Sequence, residues 1–154
     1  MPASHSLFLI EHVELLRRSY RRWTGADLLA QELGPADAVR ALDGAPFAVV
    51  SHGTQPDPVF NYGNRLALRL FEMEWEEFTA LPSRLSAEPV NQEERQRLLA
   101  QVGAHGHSDN YSGIRISKTG RRFTIRNAAV WSLIDDQGRY RGQAALIREW
   151  RALP

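Results

Sequence analysis

The chain has 154 residues, enough for one domain with a substantial core. Its 19 Lys+Arg against 18 Asp+Glu leave a net charge of +1, so no global field draws it to nucleic acid or to an anionic membrane. It has no cysteine, which excludes disulfides, thiolate nucleophiles and cysteine-ligated zinc or iron–sulfur centres.

The N-terminus, MPASHSLFLIEHVE, has a short apolar run followed at once by acids, unlike a secretory leader. No stretch of about 18 apolar residues offers a membrane span, so a soluble cytoplasmic protein is expected. Leu9, Val13, Leu16, Tyr20 and Trp23 then recur at helical spacing, flanked by Glu11, Glu14, Arg17, Arg18, Arg21 and Arg22. Ser6 is placed to cap this helix and Gly25 to end it. Two readings of the seam stay open: a helix lying on the domain's own sheet, or one that also pairs two copies. A second helical piece is predicted over 26–33, before Gly34-Pro35, and a third turn over 37–42. Gly44-Ala45-Pro46 breaks the pattern and suggests a division into a helical segment, 1–44, packing on a core, 45–154.

Past the break the period shortens. Residues 47–52 read as a buried strand, Gln55-Pro56-Asp57-Pro58 as a turn, and 59–62 as a second short strand. Asn64 is a good N-cap for a helix whose inner face holds Leu66, Ala67, Leu70 and Phe71. Trp75 and Phe78 continue that surface among Glu72, Glu74, Glu76 and Glu77, read as a solvated face. After a break at 81–85, Asn91 is expected to cap a helix with Leu98, Leu99 and Val102 inward and Glu93, Glu94, Arg95 and Arg97 outward. The last third reads as strands. Tyr111, Gly113, Arg115 and Ser117 alternate with Ile114 and Ile116. Phe123, Ile125, Asn127, Ala129, Trp131 and Leu133 share one face of the next strand. Gly142, Ala144 and Leu146 alternate with Gln143, Ala145 and Ile147 in a final strand over 140–150. Two strands, short helices and a three-strand meander make an α+β fold with an antiparallel sheet, short helices on one face and an N-terminal amphipathic helix.

This order is that of a PAS domain, and longer stretches go further. "SHGTQPDPVFNYGNRLALRLFEMEWEEFTALPSRLSAEP" and "DNYSGIRISKTGRRFTIRNAAVWSLIDDQGRYRGQAA", with "LLRRSYRRWTG" upstream, resemble the MEKHLA family. That PAS-related domain occurs alone in bacteria and algae, and at the C-terminus of plant class III homeodomain–leucine zipper proteins. The resemblance spans Leu9 to Leu146. It implies a sensory or protein-interaction module of the stand-alone bacterial type and no defined reaction. The plant proteins' DNA binding does not carry over, because their homeodomain and zipper have no counterpart here.

The stretch HGHSDNYSGIRISKTGRRF raises two sharper readings. His105, His107 and Asp109 are metal-ligand types, but two or three ligands in one loop fall short of a rigid zinc or iron set. His105 near a helix end imitates the histidine of a haem-binding PAS domain, without the surrounding pattern. The reading preferred here is a loop over 103–110 in which Asp109 or Asn110 satisfies backbone donors. Lys118, Arg121 and Arg122 flank a hairpin turn and read as solvated charge that blunts edge pairing, so nucleic-acid binding is not expected. Ser51 and His52 are strand neighbours that point to opposite faces and cannot form a nucleophile–base pair, and no phosphate loop or nucleophile elbow is present. No enzyme is expected.

A cavity between sheet and helices remains as the candidate site. Phe60, Tyr62, Asn64, Phe71, Trp75, Phe78, Ile116, Phe123, Ile125, Asn127 and Trp131 are the expected ligand-binding residues. Their bulk suits a small, largely apolar ligand, with Tyr62, Asn64 and Asn127 orienting it. Signalling then proceeds through homo- or hetero-association, with Leu9, Val13, Leu16, Tyr20 and Trp23 as the seam of a homodimer. The alternative is a ligand-free interaction module with a filled core. A haem- or flavin-binding redox protein is a third reading, without cysteinyl–flavin photochemistry since there is no cysteine.

Overall fold

Helix α1, Leu7–Thr24, lies between Ser6 and Gly25 as the spacing predicts, but Ser6 holds the N-cap position without a side-chain capping hydrogen bond. Gly25 closes it in the left-handed conformation (φ 74°), its N–H donating to Arg21 O. The computed structural model describes residues 6–154, so the leader reading and the start of the 1–44 segment lie outside the described residues. Residues 26–33 are not helical. Arg17 donates to the carbonyls of Ala30 (3.0 Å) and Leu33 (3.2 Å), and Arg21 pairs with Asp27, so backbone acceptors there are held by side chains instead of by a helical ladder. Helix α2, Pro35–Asp43, covers the expected third turn and starts on a proline, whose missing N–H costs nothing at a helix's first position.

Strands β1 (Ala48–His52) and β2 (Phe60–Gly63) form a hairpin around the proline turn. Helices α3 (Arg65–Phe71) and α4 (Trp75–Phe78), a 3-10 turn (Ser83–Ser86) and α5 (Pro89–His105) follow, then β3 (His107–Ile116), β4 (Arg122–Ile134), β5 (Tyr140–Ile147) and β6 (Glu149–Ala152). The antiparallel sheet has the order β2-β1-β5-β4-β3, with β6 also pairing β4. The expected final strand is thus split at Arg148: its first part pairs with β1 and β4, and its second with the start of β4.

Helix α5 differs from expectation at both ends. Its N-cap is Glu88 and its first turn holds Pro89, leaving Asn91 inside the helix. It runs on to His105, where Gly106 (φ 94°) reverses the chain and β3 begins at His107, so no loop spans 103–110. A Cβ on Gly106 would meet the ring of Trp23 at 2.3 Å, so glycine serves both the turn and the packing.

Both faces of the sheet are covered. On one, Leu9, Val13 and Leu16 of α1 and Ala38, Val39 and Leu42 of α2 pack against Val49, Trp131, Leu133, Ala144 and Leu146. Each large aliphatic side chain buried there is worth about 2 kcal/mol. On the other, α3 to α5 cover Ala48, Val50, Phe123, Ile125, Ala128, Val130 and Ile147. The two faces of β4 exchange parity at Asn127 (φ 50°), beside a register shift against β3. This bulge inserts one residue, so Phe123 and Ile125 share a face with Ala128 and Val130, while Ala129, Trp131 and Leu133 face α1. The uniform alternation read from the sequence therefore holds only up to the bulge.

Candidate ligand cavity

A cavity of about 50 Å³ lies between α5 and the sheet. Its apolar wall is drawn from Val50, Phe60, Phe71, Leu98, Leu99, Ile125, Val130 and Ile147. One water needs about 10–15 Å³ by such a measure, so this space suits a few waters or a small organic molecule. An outer groove of about 400 Å³, bordered by Pro56, Asp57, Pro58 and Arg84, shares His52, Arg95, Leu99 and Gln143 with the cavity. Those four side chains separate inside from outside. Gln143 Nε2 ties β5 to α5 by donating to Leu99 O at 2.9 Å.

The polar part of the wall includes two arginines beside Ser51, His52, Ser86 and Gln143. Arg95 occupies an inward position of α5, at helical spacing with Leu98, Leu99 and Val102, and is 6% exposed. Its Nη2 donates to Ser83 Oγ at 2.9 Å. Arg115, 8% exposed, reaches in from β3; its Nη2 donates to the Tyr111 hydroxyl at 2.8 Å and its guanidinium lies 5.4 Å from the Tyr111 ring. Neither arginine forms an ion pair among the described residues. Burial, then repulsion from Arg115, pulls the pKa of Arg95 down to about 10, which still leaves it charged at neutral pH. His52 donates from Nδ1 to Gly53 O at 3.0 Å, while its buried Nε2, beside Gln143, has no well-formed hydrogen bond. Burial foremost, with Arg95 adding to it, holds His52 below the ordinary histidine range.

Of the residues expected to bind ligand, Phe60, Phe71 and Ile125 line this cavity. Phe78 and Phe123 stand behind that wall, Phe78 stacked on Phe60 at 4.2 Å and Phe123 edge-on to Phe71 at 5.3 Å. Tyr62, Trp75 and Trp131 belong to the other core, under α1. Ile116 pairs across from Arg122 and lies on the sheet face opposite Arg115. Asn127, at the bulge, is exposed. Asn64 is fully buried but its amide is spent on the fold: Oδ1 accepts from Val49 N (3.0 Å) and Ala67 N (3.2 Å), and Nδ2 donates to Leu42 O and Phe47 O. The sequence reading missed Tyr111, His52, Gln143 and the two arginines. The signal for Arg95 was present in its i, i+3, i+4, i+7 spacing with Leu98, Leu99 and Val102. That spacing was overridden by residue type.

Other candidates resolve differently. Ser51 does meet a histidine, but it is His12 on α1, Nε2 to Oγ 2.8 Å. The Ser51 hydroxyl donates to Asn61 Oδ1, so His12 is the donor in that pair and not a base for the serine. His105 ends α5, and His107 and Asp109 lie on β3, with His107 stacked on Trp23 at 6.4 Å. No group of three His, Asp or Glu among the described residues is placed to hold a metal ion. The hairpin cations are paired: Lys118 with Glu77, Arg121 with Glu72 (3.6 Å), and Arg122 with Glu88 by two bonds. They dock the β3–β4 hairpin onto α3, α4 and α5. No helix of the described residues is long and apolar enough to cross a membrane.

Residues 10–152 match the MEKHLA domain. The homeobox-leucine zipper protein ATHB-9 of Arabidopsis thaliana is 28% identical over 132 residues, covering 80% of this chain. The chain spans only 15% of that relative's length. Among solved structures, a PAS domain from Colwellia psychrerythraea superposes with a TM-score of 0.62 at 16% identity, covering 71% of this chain and 91% of its own. A light-oxygen-voltage domain studied with a flavin analogue gives 0.60 at 17% identity, covering 75% and 84%. An RNA-binding light-oxygen-voltage receptor gives 0.65 at 18% identity, covering 79% and 35%. These similarities show a PAS-like fold. A flavin or haem does not fit the cavity found here, since pockets for ligands of drug size begin near about 300 Å³ and His105 is not among its lining residues.

Proposed function

The chain belongs to the MEKHLA domain family, and from that premise we propose that it is a PAS-like sensory and regulatory module. In this reading a small, largely apolar ligand enters the cavity between α5 and the sheet, and the chain binds without catalysing. The observation that carries the reading is the cavity itself, walled by α5 on one side and by strands from both halves of the sheet on the other. A ligand there touches α5 and β5 together, so its binding energy can bias how α5 sits on the sheet. Output then passes through association with a second copy or another protein, on surfaces that the ligand state alters.

Native mass spectrometry of freshly purified protein, with denaturing extraction of anything bound, tests this directly. A stoichiometric small molecule is expected, and its removal should lower the melting temperature. A mass equal to the bare chain, together with no thermal response to a panel of small polar and apolar compounds, would overturn the sensor reading in favour of an interaction module with a filled core.

A further inference from the structure

We propose that the cavity recognises a small organic anion, a carboxylate with a short apolar tail, through Arg95 and Arg115. This deepens the sensor reading and rests on it. Arg95 and Arg115 come from different elements, α5 and β3, and both line the same cavity. Each has five N–H donors. Arg95 uses one of them, toward Ser83, and Arg115 uses two, toward Tyr111 and Ile114. Neither has a carboxylate partner among the described residues, whereas other arginines, such as Arg17, Arg84 and Arg122, do. An unpaired buried charge is costly, and two like charges around one cavity compound that cost. A fold that retains both has a deficit that an anion would repair, with charge-assisted and forked hydrogen bonds. Most of the remaining wall is apolar, with Ser51, His52, Ser86 and Gln143 as its other polar residues, which favours an organic acid over a bare inorganic anion. At about 50 Å³ the tail is limited to a few carbons.

His52, Arg95, Leu99 and Gln143 border both the cavity and the outer groove, so entry runs between α5 and the paired strands β1 and β5, past the guanidinium that receives the anion. The hydrogen bond from Gln143 to Leu99 is the tie that has to loosen.

The test is thermal shift and calorimetric titration of the intact chain with a series of straight-chain carboxylates of two to about six carbons. Matched primary alcohols and inorganic phosphate serve as controls. Carboxylates are expected to raise the melting temperature saturably, with an optimum at intermediate length, and alcohols of the same length to do little. Arg95→Met should weaken carboxylate affinity roughly 10- to 100-fold, the loss of a charge-assisted contact. The same variant should melt no lower than the parent without ligand, because it removes an unpaired buried charge. A merely structural Arg95 would instead give a less stable variant. Should Arg95→Met fail to fold, Tyr111→Phe, which frees Arg115 from the hydroxyl, gives the second reading: carboxylate affinity should change while alcohol affinity does not. Alcohols binding as well as carboxylates would overturn the anion proposal and leave the sensor reading standing. Phosphate binding as tightly as the best carboxylate would overturn the organic tail. No response to any member of either series, in protein shown to carry no co-purified molecule, would overturn both.

Discussion

His12 shows how a single buried titratable group ties stability to pH. It sits on α1 with its ring stacked on Phe8 at 5.3 Å and its Nε2 donating to Ser51, and is 6% exposed. Burial foremost, and then Arg141, lower its pKa to about 4 from an ordinary value of 6.5. A histidine lowered in the folded state binds a proton more readily once unfolded. Its stabilising contribution is therefore complete above pH 6.5 and is lost as pH falls toward 4. The loss expected over that interval is about 3 kcal/mol. His52, also lowered, acts in the same direction. Urea denaturation at pH 7 and at pH 4.5 checks this, with His12→Gln as the comparison, since glutamine can donate to Ser51 without titrating. The variant should lose clearly less stability on acidification; equal pH dependence would remove His12 as the source. At this scale Asn64 was legible as a helix cap, and its side chain does accept from Ala67 N. Its other three hydrogen bonds join segments distant in sequence, which no local pattern encodes.

Among the elements, strands were read well where one period ran unbroken and poorly where a single residue changed it. Asn127 carries the clearest case. Asparagine is among the few non-glycine residues that readily take a positive φ, but nothing else in NAAVWSL places a bulge there, and the bulge decides which of Ala128 and Ala129 faces α5 and so which face Trp131 takes. Strand β5 holds a comparable constraint at Gly142 (φ 119°), where a Cβ would stand 2.0 Å from His52 O. Gly142→Ala cannot be accommodated without parting β1 from β5, the pair that presents His52 and Gln143 to the cavity. A loss of about 3 kcal/mol or more is expected, measurable by urea denaturation, together with loss of the carboxylate response. A variant of parental stability would show that the strands tolerate more room there than this close approach implies. Helix α5 was recognised as a helix, but not the inward direction of Arg95, because a charged residue is by default assigned to solvent.

Over the whole molecule, the seam of α1 decides what association can use. Leu9, Val13 and Leu16 are 1%, 0% and 0% exposed within one chain, Tyr20 packs edge-on against Trp131 at 5.0 Å, and Trp23 Nε1 donates to Ser132 O. These residues are consumed by the chain's own sheet, which leaves only other surfaces for any association between copies. Leu16→Glu would bury an unpaired carboxylate and should destabilise by about 4 kcal/mol or more, and Leu16→Glu with Trp23→Glu should unfold the chain. Light scattering with circular dichroism separates the outcomes. Unfolding or aggregation is expected; a stable, folded species of half the parental mass would show that the helix pairs copies after all.

The sequence alone determined the broad order of helices, hairpin, helices and strands, the antiparallel α+β class, the family resemblance and the exclusion of cysteine chemistry, because periodicity, turn residues and composition are local properties. Only the tertiary structure decided which side of each element meets which neighbour. Two arginines, 20 residues apart on a helix and a strand, became the charged wall of one cavity when α5 folded back over β3 and β4. Burial and the resulting lack of counter-charge are properties of that assembled wall and of no segment within it.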